Sequence, residues 1–182
     1  MNYMTQIRAA VSLIFLSLVF NQLAGCASAA KTTAMSVEDI AVQKTHPHSV
    51  EIKVSGGQDT GALDSPQISS EAFADALAES IKTSKLFAEI NRTGNADYLL
   101  HVTLLDLDQP VFGASMLVHM EAAWVLIDRG NNETIWKKAI KSKYTAGAFD
   151  AFGAVTRIRL ATEGAARNNI RQGIDLISDL EL

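Results

Sequence analysis

Cysteine is nearly missing from this chain: of 182 residues only Cys26 carries a thiol. One thiol closes no internal disulfide and builds no cysteine metal site. Strong charge of either sign is missing too, because 16 basic residues face 20 acidic ones for a net charge of −4. A nucleic-acid binder would show a clustered basic surface, so that class is set aside. Long apolar runs are scarce. The one candidate, Ala9 to Phe20, is broken only by Ser12 and Ser17 and stops at Asn21-Gln22. Spanning a bilayer takes about 20 predominantly apolar residues, so a membrane-crossing helix is not expected. Motifs of common chemistry are absent as well. There is no Gly-x-Ser-x-Gly, no His-Glu-x-x-His, no dinucleotide fingerprint and no hexapeptide repeat. The pair Gly56-Gly57 lacks a following Lys-Ser/Thr and reads as a turn rather than a phosphate loop. No metal and no cofactor is expected.

What is present begins at the N-terminus. Met1 to Arg8 is polar with one base and no acid, the apolar run follows, and small residues close it. This is the layout of a secretory signal peptide, residues 1–25. Leu23-Ala24-Gly25-Cys26 resembles the lipobox of bacterial lipoproteins. The resemblance implies that the Cys26 sulfur receives a diacylglycerol, that the chain is cut just before it, and that the new amino group is acylated. Two acyl chains already suffice for stable attachment, at about 0.8 kcal/mol per buried CH₂. Ala27-Ser28 follows the cysteine where Asp would favour inner-membrane retention. The resemblance therefore implies a lipid anchor in the outer membrane, with the domain facing the periplasm. Cutting there removes 25 residues and leaves 157, and the loss of Arg8 moves the net charge from −4 to −5. That length suits one domain, 50–182, on a tether, 26–49, within which Val37 to Val42 reads as a short strand or helical turn that packs on the domain.

Within the domain, Val50, Ile52 and Val54 alternate with Glu51, Lys53 and Ser55 as a half-buried strand. Ser69 is placed to cap a helix, Glu71 lies in its first turn, and Ile68 with Phe73 forms a hydrophobic staple. Phe73, Leu77 and Ile81 give that helix its apolar face. Leu86 to Ile90 reads as a short strand. Three longer strands follow, with core faces Tyr98-Leu100-Val102-Leu104, Met116 through Leu126 at even positions, and Trp136-Ile140-Tyr144. A hairpin centred on Pro110 would set Leu100 against Met120 and His101 against His119; one centred on Asn131 would set Trp136 against Leu126 and Glu121 against Lys141. Both registers leave every apolar residue on one side, as a meander requires. A last helix near Val155–Leu180 carries the stripe Ile158, Ala161, Ala165, Ile170, Ile174 and Ile177. Its Glu163 and Arg167 are spaced for an ion pair. Gly164 and Gly173 suggest close approach of another chain segment. The order β-α-β-β-β-β-α gives an α+β two-layer sandwich, a mainly antiparallel sheet with two helices on one face.

The histidine pair His101 and His119 lacks an evident third metal ligand, and the outer sheet face is half apolar (Leu105, Leu117, Val125, Ile127). The loop Thr145–Gly153 carries Phe149 and Phe152 among small residues, either as a buried plug or as a docking patch, and Arg157 and Arg159 follow closely. These four are the candidate partner-binding residues; catalytic residues are not evident. Phe73, Leu77 and Ile81, then Leu86-Phe87, Asp97-Tyr98-Leu99-Leu100, the Trp136 strand and the terminal helix together resemble small proteobacterial envelope lipoproteins that assist ABC transport or outer-membrane assembly. The likeness covers Val50 onward and implies a non-enzymatic accessory protein that binds a protein or lipid partner. The alternative class is an envelope hydrolase or other enzyme with a dispersed site.

Overall fold

The computed structural model describes residues 28–62, 64–91 and 94–182; the expected signal peptide and Cys26 lie outside them. The order of elements is α1 (Thr32–Met35), β1 (His46–Ser55), α2 (Ser70–Ser84), β2 (Phe87–Ile90), β3 (Tyr98–Asp108), β4 (Met116–Asp128), β5 (Thr134–Ala146) and α3 (Ala154–Ser178). The five strands form one sheet in the order β2-β1-β3-β4-β5. The fold class is the expected α+β sandwich, with a mixed sheet. β1 runs parallel to both β2 and β3, while β3, β4 and β5 form the antiparallel meander.

Each helix forms for reasons visible in its sequence. Ser69 Oγ accepts the Ala72 amide at 3.1 Å, Glu71 sits in the first turn of α2, and Ile68 and Phe73 are both buried. α2 ends where Lys85 takes a left-handed conformation, φ 56°. All six residues of the expected α3 stripe, Ile158 to Ile177, are buried. Gly173 lets the helix backbone rest on the Trp124 indole, since a Cβ there would lie 2.4 Å from its Cη2. Gly164 does the same for the Tyr144 ring at 2.3 Å. A buried polar link joins the two layers: Trp124 Nε1 donates to Asn169 Oδ1 (2.9 Å), and Asn169 Nδ2 donates to the Ile140 carbonyl (2.9 Å). That link also satisfies a carbonyl of the edge strand β5.

The β4–β5 register is the expected one, with Leu126 opposite Trp136, Ala122 opposite Ile140 and Val118 opposite Tyr144. The β3–β4 register differs from expectation. Leu100 faces Leu126, Val102 faces Trp124 and Leu104 faces Ala122. The connection is longer than a tight hairpin at Pro110 and occupies the seven residues from Gln109 to Ser115. A bulge between Leu104 and Asp106 then shifts the ladder by one, so that Leu107 opposes Met120. The slip is an even number of residues up to the bulge, so the face assignment survives while the pairing changes. Gly56 closes β1 beneath this bulge, with φ +79° and no room for a Cβ, which would sit 2.3 Å from the Leu104 carbonyl oxygen.

The segment expected as a tether is packed from Ala30 onward, and β1 begins at His46, four residues before Val50. Met35 and Val37 are buried to 0% and 1% exposure. Residues 30–44 lie as a strap along α3. Lys31 N donates to Glu163 Oε1, Arg167 to the Ala34 carbonyl, Arg171 to the Asp39 carbonyl, and Gln43 N to Ser178 Oγ. Val37 N donates to Ser80 Oγ on α2, so the strap fills the groove between the two helices. It packs on the helix layer and leaves the outer sheet face uncovered.

Candidate functional site

The sheet register determines which loops share an end. β4 starts at Met116 and β5 stops at Ala146, and these two residues are paired. The loop 109–115 entering β4 and the loop 147–153 leaving β5 therefore lie side by side. Together they present the most exposed large apolar residues among those described: Phe152 at 109%, Phe149 at 102%, Val111 at 93% and Phe112 at 87%. Val155, in the first turn of α3, adds to the same end at 46%. The plug reading of Phe149 and Phe152 is overturned, because neither ring touches the core. Val111 and Phe112 are not among the expected binding residues, since a hairpin centred on Pro110 encloses them in its turn. Their signal is two apolar residues between Pro110 and Gly113, outside any periodic pattern.

The loop 147–153 is held in shape by polar contacts. Asp150 Oδ2 accepts the Gly147 amide at 2.7 Å. Arg157 Nη1 donates to the carbonyls of Ala151 (2.8 Å) and Phe152 (3.1 Å). Arg159 reaches Glu163 at 3.5 Å, and Glu163, 3% exposed, also accepts the Lys31 amide at 3.0 Å. Both arginines are thus engaged inside the chain, Arg157 with the phenylalanine loop and Arg159 with the strap's contact. The expected Glu163–Arg167 pair is replaced: Glu163 pairs with Arg159, and Arg167 lies over the Tyr144 ring, 5.8 Å from its centroid.

The point where the strap joins the domain belongs to the same end. Ala30 N donates to the Gln67 carbonyl at 3.1 Å. Gln109, the first residue after β3, donates through Nε2 to the neighbouring Pro66 carbonyl (2.6 Å) and to Thr162 Oγ1 (2.9 Å). One hydrogen-bonded cluster therefore connects the start of the strap, the base of loop 109–115 and the first half of α3.

The other candidates separate. His101 faces Val125 and accepts or donates at Ser55 Oγ (3.1 Å), whereas His119 faces Asp108. The two histidines expected to oppose one another are on different rungs. Glu121 and Lys141 do pair, at 3.4 Å, on the open face. His46 is buried against Phe87 and bonded to the Ile177 carbonyl at 3.0 Å, a packing role. Among the described residues no group of three or more His, Cys, Asp or Glu is placed to hold a metal.

No family model matches the sequence, and no curated protein matches it. Solved structures do share its fold. A Xanthomonas campestris protein of the DUF330 family superposes with a TM-score of 0.59 at 10% identity, over 78% of this chain and 89% of that one. A hypothetical protein from Chlamydia trachomatis gives 0.56 at 10% identity, over 72% and 96%. This chain is thus similar in fold to two bacterial proteins and covers most of the length of each.

Proposed function

We propose that the chain is a bacterial envelope lipoprotein, anchored through Cys26 to the outer membrane with its domain in the periplasm, and that it serves there as a non-enzymatic accessory protein binding a protein or lipid partner. The observation that carries this reading is the placement of Leu23-Ala24-Gly25-Cys26 directly ahead of a strap that is packed from Ala30 onward. An anchor at Cys26 would hold the domain against the membrane rather than on a long leash. The exposed phenylalanine end supplies a surface suited to binding. Envelope transport or assembly is the setting implied by the likeness of the β-α-β-β-β-β-α layout to accessory lipoproteins.

Replacing Cys26 tests the anchor. Cys26→Ser removes the only thiol and so the only acyl acceptor of this kind. The variant is expected to lose palmitate labelling, to remain uncleaved, and to fail to sediment as a mature membrane protein. A variant that is processed and membrane-bound like the native chain would sink the reading. The accessory role is tested with the purified mature protein against esters, peptides and glycans, where no turnover is expected; robust hydrolysis of any of them would establish the enzymatic class instead.

A further inference from the structure

We propose that the end of the sheet bearing Phe112, Phe149 and Phe152 is a membrane-docking end, seated in the lipid interface of the same leaflet that holds the Cys26 anchor. The inference rests on that anchor and adds an orientation and an occupant to it.

Chain length carries the argument. Ala30 is fixed to Gln67, and Lys31 to Glu163. Four Cα-to-Cα steps lead from Cys26 to Ala30, a reach of at most about 14 Å at 3.3–3.6 Å per residue. Glu163 lies nine residues along α3 from its first residue, Ala154, a rise of about 13–14 Å at 1.5 Å per residue. The strap runs along α3 in the helix's own direction, from Glu163 toward Ser178, so its first residues lie nearer the phenylalanine loops than its last. An anchored Cys26 can therefore draw level with that end and little further. The opposite end of the sheet, at the turn 129–133, is removed by the length of β5, about 40 Å for its 13 residues. A lipid on Cys26 brings this end of the sheet, and not the 129–133 end, within reach of the bilayer, and it is this end that carries the exposed rings.

The chemistry of the end agrees. Apolar rings at the tips of loops partition into the boundary between headgroups and acyl chains. Within the loop, Asp150 accepts Gly147 N and Arg157 satisfies the Ala151 and Phe152 carbonyls, so these backbone groups need no outside partner, while the two charged side chains suit the headgroup level rather than the acyl region. Rings in water at 87–109% exposure contribute nothing to the fold, so their loss leaves stability untouched.

The test uses the mature lipidated chain in phosphatidylethanolamine–phosphatidylcholine vesicles. Phe152→Cys, and separately Asn131→Cys at the far turn, each carry an environment-sensitive fluorophore on the new thiol; melting of both variants is expected to match the unsubstituted protein. The label at position 152 should shift to the blue and lose most of its emission when the acyl chains are brominated, while the label at 131 should do neither. A label at 152 that reports water on a membrane-bound chain overturns the proposal. So does a label that is shielded yet unquenched, which would put protein, a second copy or another chain, on that end. A chain found by mass to carry a free Cys26 thiol overturns the anchor reading itself and this orientation with it, and the mass separates that failure from the other two.

Discussion

At the residue scale, two glycines in α3 make opposite demands on helix propensity and packing. Alanine is favoured over glycine in a helix interior by about 0.8–1 kcal/mol. At Gly173 that gain meets the indole of Trp124, which is fully buried and held by Asn169. Overpacking of such a site costs about 1–3 kcal/mol. Gly173→Ala is therefore expected to lower the urea midpoint. Gly164→Ala meets Tyr144, which is 36% exposed and has room to swing outward, so its loss should be the smaller of the two. Equal midpoints for both variants would contradict the packing account. Asp97 makes a different kind of contact. Its Oδ2 accepts the Ser49 amide at 2.7 Å and the Ser49 hydroxyl at 2.8 Å. The amide bond, then the hydroxyl bond, hold its carboxyl below the ordinary value despite some desolvation, with a lesser pull from His48. A depressed carboxylate stabilises fully above its unfolded-state pKa and loses that contribution as pH falls through the folded one. Asp97→Asn should thus flatten the fall in melting temperature on the acid side of the ordinary carboxylate range. An unchanged acid limb would show that the Ser49 contacts do not persist in solution.

At the scale of elements, the strap is only partly legible in the sequence. Val37 to Val42 reads as a short strand or helical turn packing on the domain, and Val37, Ile40 and Val42 do pack there, but Met35 lies outside that stretch among small and polar neighbours. The burial of Met35 and Val37 depends on a groove between α2 and α3 that exists only after those helices have packed. The structure makes Met35 a core residue, so Met35→Ala should cost about 2–5 kcal/mol; a neutral effect would return the segment to the status of a loose tether. Faces, by contrast, were legible. Period-two alternation marked the core side of β3, β4 and β5, and 3.6-residue spacing marked that of α2 and α3, because both periods follow from local backbone geometry. The β4–β5 register was legible because Asp128 to Glu133 forms a compact turn. The β3–β4 register was not, because the break at Pro110 is the start of a longer loop, and the bulge at Leu105 leaves no mark in a sequence of alternating apolar residues. The parallel pairing of β1 with β3 was equally hidden, since nothing in a single half-buried strand states its direction. Of the candidate site, Phe149 and Phe152 were legible as rings without a pattern, while Val111 and Phe112 were lost with the misplaced turn. Arg157 and Arg159 stand out in the sequence by their charge, and in the structure both are engaged within the chain.

For the whole molecule, the features converge on one end. The strap is tied to α3 along its length, the loops 109–115 and 147–153 are neighbours through the Met116–Ala146 pair, and the chain joins the domain beside them. The open sheet face, with Leu105 and Leu117 exposed at 54% and 41%, points sideways relative to this end and is the second surface available to a partner. Every element of that orientation depends on what Cys26 carries. The most direct measurement is the intact mass of the protein extracted from membranes of the producing cell, with fragmentation of its N-terminus. The account predicts a chain that starts at Cys26 and bears a thioether-linked diacylglycerol with a further acyl group on the amine. A chain with residues 1–25 still attached and an unmodified Cys26 would contradict it.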